Sequence, residues 1–225
     1  MGEGATYGAT RARVEDYFDR TATRTWERLT SDAPVSRIRQ TVREGRDRMR
    51  ELMLSRLPKD LQGARVLDAG CGAGQMAVEL ALRGADVLAV DISPKLVSIA
   101  EARLPARLPG RVTFRAGDML SRDHGTFDHV IAMDSLIYYG ADDLTAALED
   151  LARRTRGGVV FTVAPRTPLL LAMWNVGRLF PRSDRSPVMV PHGPARLAAR
   201  VPGRLAHAGR VTSGFYISDC LEYRA

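Results

Sequence analysis

The chain has 225 residues, of which 45% are hydrophobic, so it can bury a full core, and its length fits one domain with at most an appendage. Its apolar stretches are shorter than the roughly 20 residues that cross a bilayer, and no basic and then apolar leader is visible, so we expect a cytoplasmic protein. The net charge of +7 favours anionic ligands without selecting among them, and two cysteines exclude a disulfide framework.

The N-terminal quarter is predicted to be helical after a glycine-rich start at residues 1–10, which we expect to be disordered. Apolar residues recur at a spacing of three to four from Val14 to about Leu57, and Pro34 separates two helices. We therefore interpret residues 1–62 as an N-terminal helical arm or lid and residues 63–225 as the main domain.

From residue 63 onwards, short β-branched runs alternate with helical segments, which is typical of an α/β fold with a parallel sheet. Strands are predicted at residues 65–68, 86–91, 112–116, 127–133 and 158–164. Helices are predicted at residues 75–83, 94–104 and 144–154. A final antiparallel hairpin is predicted at residues 204–212 and 215–223. This order resembles the Rossmann-like class I methyltransferase fold, with a seven-stranded, mostly parallel sheet and helices on both faces.

A long segment, residues 165–194, separates the fifth strand from the hairpin and contains an apolar helix candidate at residues 169–180. Segments of this length in a compact domain usually have a function, so we predict a substrate cap in which Trp174 and His192 contact the substrate. The same helix candidate predicts weak peripheral membrane contact. The alternative is that its apolar side chains simply pack on the sheet.

Glycines stand at 70, 72 and 74, directly after the first predicted strand and before a helix. A loop without Cβ atoms lets a ligand approach the backbone, and the free amides at the helix start favour a carboxylate. We therefore assign Gly70, Gly72, Gly74 and the intervening Cys71 to a cofactor site.

Three acids end the first three predicted strands. Asp68 is placed to meet a cationic amino-acid end, Asp91 to accept from ribose hydroxyls, and Asp118 to accept from an adenine amino group. Together they predict S-adenosylmethionine as the cofactor. The rest of the predicted cofactor site consists of Ile92, Met119 and Met133.

Two alternatives to this cofactor site remain. Each acid taken alone is also explained as a helix cap or strand end. A nicotinamide cofactor uses a similar loop and a similarly placed acid. Asp68 upstream of the glycines, Asp118 after the third strand and the C-terminal hairpin favour the methyltransferase pattern.

Several segments resemble the magnesium-protoporphyrin IX O-methyltransferase family of bacteriochlorophyll biosynthesis. They are residues 16–18, Trp26, residues 66–74, 91–93, 133–139 and 214–218. The resemblance implies transfer of a methyl group from S-adenosylmethionine to one propionate carboxylate of magnesium protoporphyrin IX. It also implies a partnership with the magnesium chelatase that supplies this substrate. A carboxylate is ionised at neutral pH, so positioning and water exclusion replace a strong base, and we predict no metal site.

The acceptor is expected beyond the first and fourth strands, where the segment from Asp134 to Tyr139 follows the fourth strand. We predict that Asp134, Tyr138, Tyr139 and Thr30 are catalytic. Members of the resembled family carry His where Tyr138 stands and Tyr where Thr30 stands. The alternative for the adjacent tyrosines is ordinary packing with their hydroxyls in water.

The arm is predicted to form the other side of the acceptor site as a mobile lid. Tyr17, Phe18 and Trp26 offer planar contact area, and Arg43 or Arg37 offers a bidentate donor for a carboxylate. The alternative is that these aromatic residues only anchor helices on the sheet.

Other functions share part of this pattern. We expect no nucleic-acid partner, because no basic stripe with interleaved aromatic residues is visible and residues 132–135 differ from the acceptor motif of an RNA methyltransferase. A methyltransferase of quinones or other phenols would share every cofactor residue, so that alternative stays open. The intact glycines and acids argue against a non-catalytic scaffold.

Overall fold

The computed structural model describes residues 7–19, 37–166 and 189–225. Trp26, Thr30 and Trp174 lie outside these ranges, as does most of the predicted cap.

Eight strands form one sheet in the order β3-β2-β1-β4-β5-β8-β7, with the short β6 paired to the end of β5. The strands are β1 (Arg65–Ala69), β2 (Asp86–Asp91), β3 (Arg111–Ala116), β4 (His129–Ala132), β5 (Val159–Pro165), β6 (Pro191–His192), β7 (Arg204–Ser213) and β8 (Tyr216–Arg224). β1 to β5 are mutually parallel, and β8 runs antiparallel to both β5 and β7. The predicted fold class is confirmed, and the two-residue β6 is the addition to the seven expected strands.

Helices cover both faces of the sheet. Because successive side chains on a strand point to opposite faces, neighbouring strand residues pack against different helices. They are α1 (Tyr7–Tyr17), α2 (Arg37–Leu54), α3 (Gln75–Leu82), α4 (Pro94–Ala102), α5 (Ala141–Arg153) and α6 (Pro194–Ala198). Val66 packs in one hydrophobic cluster with Met53 of α2, whereas its neighbour Leu67 packs in another with Leu148 of α5. Among the described helices, none combines the length and apolarity needed to span a membrane.

The N-terminal region differs from its prediction in two ways. α1 begins at Tyr7, so the disorder expected to residue 10 was wrong for residues 7–10. α2 packs on β7 and β8 and buries Met49 and Met53 fully, so this part of the predicted arm belongs to the domain core. Gly45 permits the close packing, since a Cβ there would lie 2.7 Å from the ring of Tyr216.

Candidate active site

A cavity opens at the carboxyl ends of β1 to β4, which is where ligands bind in doubly wound sheets. It contains about 950 Å³ of empty space, open solvent included. The predicted cofactor residues that line it are Asp68, Gly70, Cys71, Gly72, Asp91, Ile92, Asp118, Met119 and Met133. Gly74 does not line the cavity: a Cβ there would lie 2.9 Å from Ala100 and 3.0 Å from Phe114, so this glycine permits close helix–sheet packing.

The glycine loop is held against the strand tips by backbone contacts. Gly70 has a φ of +85° and donates its amide to Val90 over 2.8 Å. A Cβ on Gly70 would lie 2.2 Å from that of Ser135, so this position requires glycine on two grounds. At Gly72, with φ +54°, a Cβ would meet no protein atom within 4 Å, which leaves the backbone open to a ligand.

Asp68 is 1% exposed, and its Oδ2 has no hydrogen-bond partner. Burial, followed by the negative charge of Asp91, raises the pKa of Asp68 to about 7, although the amide of Ala77 acts in the opposite direction. An unsatisfied buried carboxylate oxygen is costly unless a ligand donates to it. The cationic amino group of S-adenosylmethionine fits this position.

Asp91 is buried, and backbone amides bind both of its oxygens. Gly72 donates to Oδ2 over 2.8 Å, and Ser93 donates to Oδ1 over 2.9 Å. Burial raises the pKa of Asp91 despite these two amides. The acid therefore fixes the glycine loop and still faces the cavity, where a ribose would lie.

Asp118 is bound by the N-terminal helix, which the sequence analysis missed. Tyr7 donates its hydroxyl to Oδ1 over 2.7 Å, and Arg11 donates to Oδ2 over 2.7 Å. Burial opposes ionisation, but these bonds and the amide of Leu120 outweigh it and lower the pKa of Asp118. α1 thus contacts the acid that was predicted to accept from adenine.

Two tyrosines after β4 line the cavity on the side where the acceptor is expected. Tyr138 packs edge-on against Phe18, with 6.3 Å between ring centroids, and Tyr139 stacks on Tyr7 at 4.9 Å. Burial raises the pKa of Tyr138 above its ordinary value and that of Tyr139 to about 12. Both phenols are therefore protonated at neutral pH and can donate hydrogen bonds.

Asp134 is the centre of a polar network beside these tyrosines. Arg46 donates to its Oδ2 over 2.5 Å, Tyr216 donates to Oδ1 over 3.1 Å, and the hydroxyl of Thr162 donates to Oδ1 over 3.2 Å. The amide of Asp134 donates in turn to Thr162 over 2.8 Å. The predicted catalytic acid is therefore already paired with a cation.

The basic residues on the cavity wall are not those that the sequence suggested. Arg46 and Arg50 line it, whereas Arg43 is half-buried outside the lining and Arg37 is exposed. Arg11 of α1 is the third arginine on the wall. Arg46 and Arg50 flank the buried Met49, so their spacing from the apolar stripe of α2 was the signal that could have found them.

Two further predicted substrate residues lie off the cavity wall. Tyr17 packs edge-on against Phe18 at 5.3 Å, so it contacts the cavity through its neighbour. His192 is buried outside the cavity, and its Nε2 lies 2.9 Å from the carbonyl oxygen of Tyr139. Burial lowers the pKa of His192, so the neutral ring holds the backbone of the tyrosine segment.

A bare glycine turn, three acids at adjacent strand tips and a closing antiparallel hairpin define this protein as a class I S-adenosylmethionine-dependent methyltransferase. A general methyltransferase-domain model matches residues 66–158, and the model of the magnesium-protoporphyrin IX methyltransferase C-terminus matches residues 132–225. The magnesium-protoporphyrin O-methyltransferase of Rhodobacter capsulatus is 60% identical over 219 residues, covering 97% of this chain and 98% of the relative. The chain belongs to the magnesium-protoporphyrin O-methyltransferase family.

More distant members give the same result. The Synechocystis magnesium-protoporphyrin O-methyltransferase is 31% identical over 216 residues, covering 93% of this chain and 94% of its own. The crystal structure of magnesium protoporphyrin IX methyltransferase from Synechocystis with bound SAH superposes with a TM-score of 0.79 at 29% identity, covering 96% of this chain and all of that one.

Proposed function

We propose that this protein transfers the methyl group of S-adenosylmethionine to one propionate carboxylate of magnesium protoporphyrin IX, a step of bacteriochlorophyll or chlorophyll biosynthesis. The products are the monomethyl ester and S-adenosylhomocysteine. The observation that carries the proposal is the 60% identity to the Rhodobacter capsulatus enzyme over nearly the full length of both chains. The cavity adds independent support, because it combines acids for a cationic cofactor with arginines for an anionic acceptor.

The acids at the strand tips supply the cofactor contacts in this proposal. The unpartnered Oδ2 of Asp68 accepts from the cofactor's ammonium group, Asp91 accepts from the ribose, and Asp118 accepts from the adenine amino group. Met119 and Met133 provide apolar surface beside them. For adenine to reach Asp118, Tyr7 or Arg11 must share that carboxylate or withdraw, so we assign α1 to the lid.

The reaction needs positioning rather than proton transfer. Bound S-adenosylmethionine supplies the methyl group: a carboxylate oxygen bonds to the methyl carbon, the carbon–sulfur bond breaks, and its electron pair stays on sulfur. Because the acceptor is already ionised at neutral pH, no side chain has to remove a proton. Tyr138 and Tyr139 hold the acceptor as hydrogen-bond donors, and Phe18 and α1 exclude water from the cavity.

The family resemblance also supports a proposal for the location and the partner of the enzyme. We assign it to the cytoplasm, with magnesium chelatase as the partner that hands over a poorly soluble porphyrin. Four predictions concern residues outside the described ranges and stay predictions: the cap with Trp174, the lid residue Trp26, the catalytic role of Thr30, and the membrane contact at residues 169–180.

A substrate panel tests the proposal. The purified protein is incubated with S-adenosylmethionine and, separately, with magnesium protoporphyrin IX, metal-free protoporphyrin IX or a phenolic quinone precursor, and the products are analysed by mass spectrometry. We expect one added methyl group on the magnesium porphyrin, removable by alkaline ester hydrolysis. Methylation of the phenol with none on any porphyrin would replace this proposal by the quinone alternative.

A further inference from the structure

The ion pair between Arg46 and Asp134 lies on the acceptor side of the cavity and is largely hidden from solvent. The two side chains are 15% and 10% exposed, and both line the cavity. Removing two charges from water costs free energy that their attraction often fails to recover, so stability alone does not explain such a pair. A role in handling a charged ligand does.

Asp134 is fixed in place independently of Arg46. It is the only non-glycine residue with positive φ, at +54°, in the part of the chain that the structure describes. Thr162, which is fully buried, binds both its amide and its Oδ1, and Tyr216 donates to the same carboxylate. Strained backbone held by several neighbours is typical of functional positions.

The close contact between Gly45 and Tyr216 also determines where Arg46 lies. Gly45 lets α2 lie directly on Tyr216, and Arg46 is the next residue along the helix. The tip of β4, β5, β8 and α2 therefore converge on one carboxylate. Arg46 thereby meets Asp134 on the wall of the cavity, which both residues line.

Methyl transfer neutralises both the acceptor carboxylate and the sulfonium of the cofactor. The acceptor carboxylate is negative and the sulfonium positive, and both are neutral in the products, so charge is already reduced in the transition state. A cation that fully neutralised the carboxylate would stabilise the ground state more than the transition state and slow the reaction. A cation whose charge is balanced by a fixed acid still orients the carboxylate through directional hydrogen bonds.

We infer that Arg46 binds the acceptor carboxylate and that Asp134 is a positioning residue, which balances the charge of Arg46 so that the acceptor oxygen stays nucleophilic. The acceptor oxygen forms its bond to the methyl carbon as the carbon–sulfur bond breaks, and no proton moves. This inference rests on the proposed function, because it requires a carboxylate as the methyl acceptor.

The variant Asp134→Asn tests it. Asn tolerates the left-handed backbone, and its oxygen can keep the bonds from Thr162 and Tyr216, so the main change is the loss of charge beside Arg46. We expect magnesium protoporphyrin IX to bind about three- to tenfold more tightly, measured by fluorescence titration with S-adenosylhomocysteine present, and single-turnover methyl transfer to slow about tenfold or more. A purely structural role would weaken binding and slow turnover together.

The variant of Arg46 is expected to change porphyrin affinity in the opposite direction. Arg46→Gln is expected to weaken porphyrin binding about tenfold, whereas binding of the dimethyl ester of magnesium protoporphyrin IX, which has no carboxylate, changes in neither variant. In the double variant, Asp134→Asn adds no further effect, because the acid acts through the arginine. If either protein fails to fold, the other still gives a signed result.

A charge-matched control is available at an exposed ion pair. Asp142→Asn removes the same charge from an exposed pair with Arg200 and is expected to change binding and rate less than about twofold. Weaker porphyrin binding by Asp134→Asn overturns the inference, and so do independent losses that add up in the double variant. In either case a wild type that methylates the porphyrin leaves the proposed function standing. A wild type that methylates no porphyrin overturns both.

Discussion

Asp68→Asn should make the cofactor-free protein more stable while it impairs cofactor binding. The carboxylate of Asp68 is buried, one of its oxygens has no partner, and its pKa is raised to about 7. Keeping Asp68 ionised in the folded protein at neutral pH therefore costs free energy of folding. An amide of the same shape carries no charge, so that destabilisation is removed.

The size of the effect follows from the shift of the pKa from its ordinary 3.8 to about 7. Each unit corresponds to about 1.4 kcal/mol, so ionised Asp68 lowers the free energy of unfolding by up to about 4 kcal/mol above pH 7. The pKa of Asp68 is higher in the folded than in the unfolded protein. The wild type therefore has its full free energy of unfolding below pH 4 and loses up to this amount as the pH rises towards 7. The variant should exceed the wild type by about 2–4 kcal/mol at pH 8 and by almost nothing at pH 4.

Urea unfolding of the cofactor-free proteins at both pH values measures this difference. Titration calorimetry should also show S-adenosylmethionine binding about 10- to 100-fold more weakly to Asp68→Asn, since a hydrogen bond to a charged group is lost. Asp86→Asn is the matched control, because Asp86 is exposed and its loss of charge should change stability by less than about 0.5 kcal/mol. An Asp68→Asn protein that is no more stable than the wild type at pH 8 would show that the buried charge does not destabilise the fold. One that binds the cofactor equally well would show that the charge does not contact the cofactor.

Three further predictions use the same site. Affinity for S-adenosylmethionine should rise about tenfold from pH 5.5 to 7 as Asp68 ionises, and calorimetry on Asp68→Asn should show no such rise. Gly70→Ala should lose at least about 3 kcal/mol in urea unfolding because its Cβ collides with Ser135, whereas Gly63→Ala, with a φ of +75° but no neighbour, should lose about 1 kcal/mol; equal losses would contradict the packing argument. Tyr7→Phe should speed amide hydrogen exchange in α1 about fivefold, because one hydrogen bond of about 1 kcal/mol is lost, and unchanged exchange would show that the hydroxyl does not hold the helix.

Local sequence patterns predicted the sheet well. β2 has the predicted bounds, 86–91, and β1, β3, β4 and β5 differ from theirs by at most two residues at either end. The short β-branched runs carry that signal within the strands themselves, and Gly70 marks the end of the first strand. The acids at the strand tips were found for the same reason, because each lies within two residues of the end of its strand.

Contacts between distant segments were not predictable in this way. Nothing near Tyr7 indicates a helix that begins there, because its anchors, Asp118 and Tyr139, lie more than 100 residues away. The position of Arg46 depends on Gly45 meeting Tyr216 across the fold. A sequence without aligned relatives carries no local trace of such pairs, so Arg43 was preferred to Arg46.

In the proposed reaction a bound carboxylate takes the methyl group directly, without a general base. The most direct measurement is the single-turnover rate of methyl ester formation on magnesium protoporphyrin IX in H2O and in D2O. We expect a ratio of the rate in H2O to the rate in D2O of about 1, because no proton is transferred in the transition state. A ratio of about 2 or more, or a product that resists alkaline hydrolysis, would contradict it.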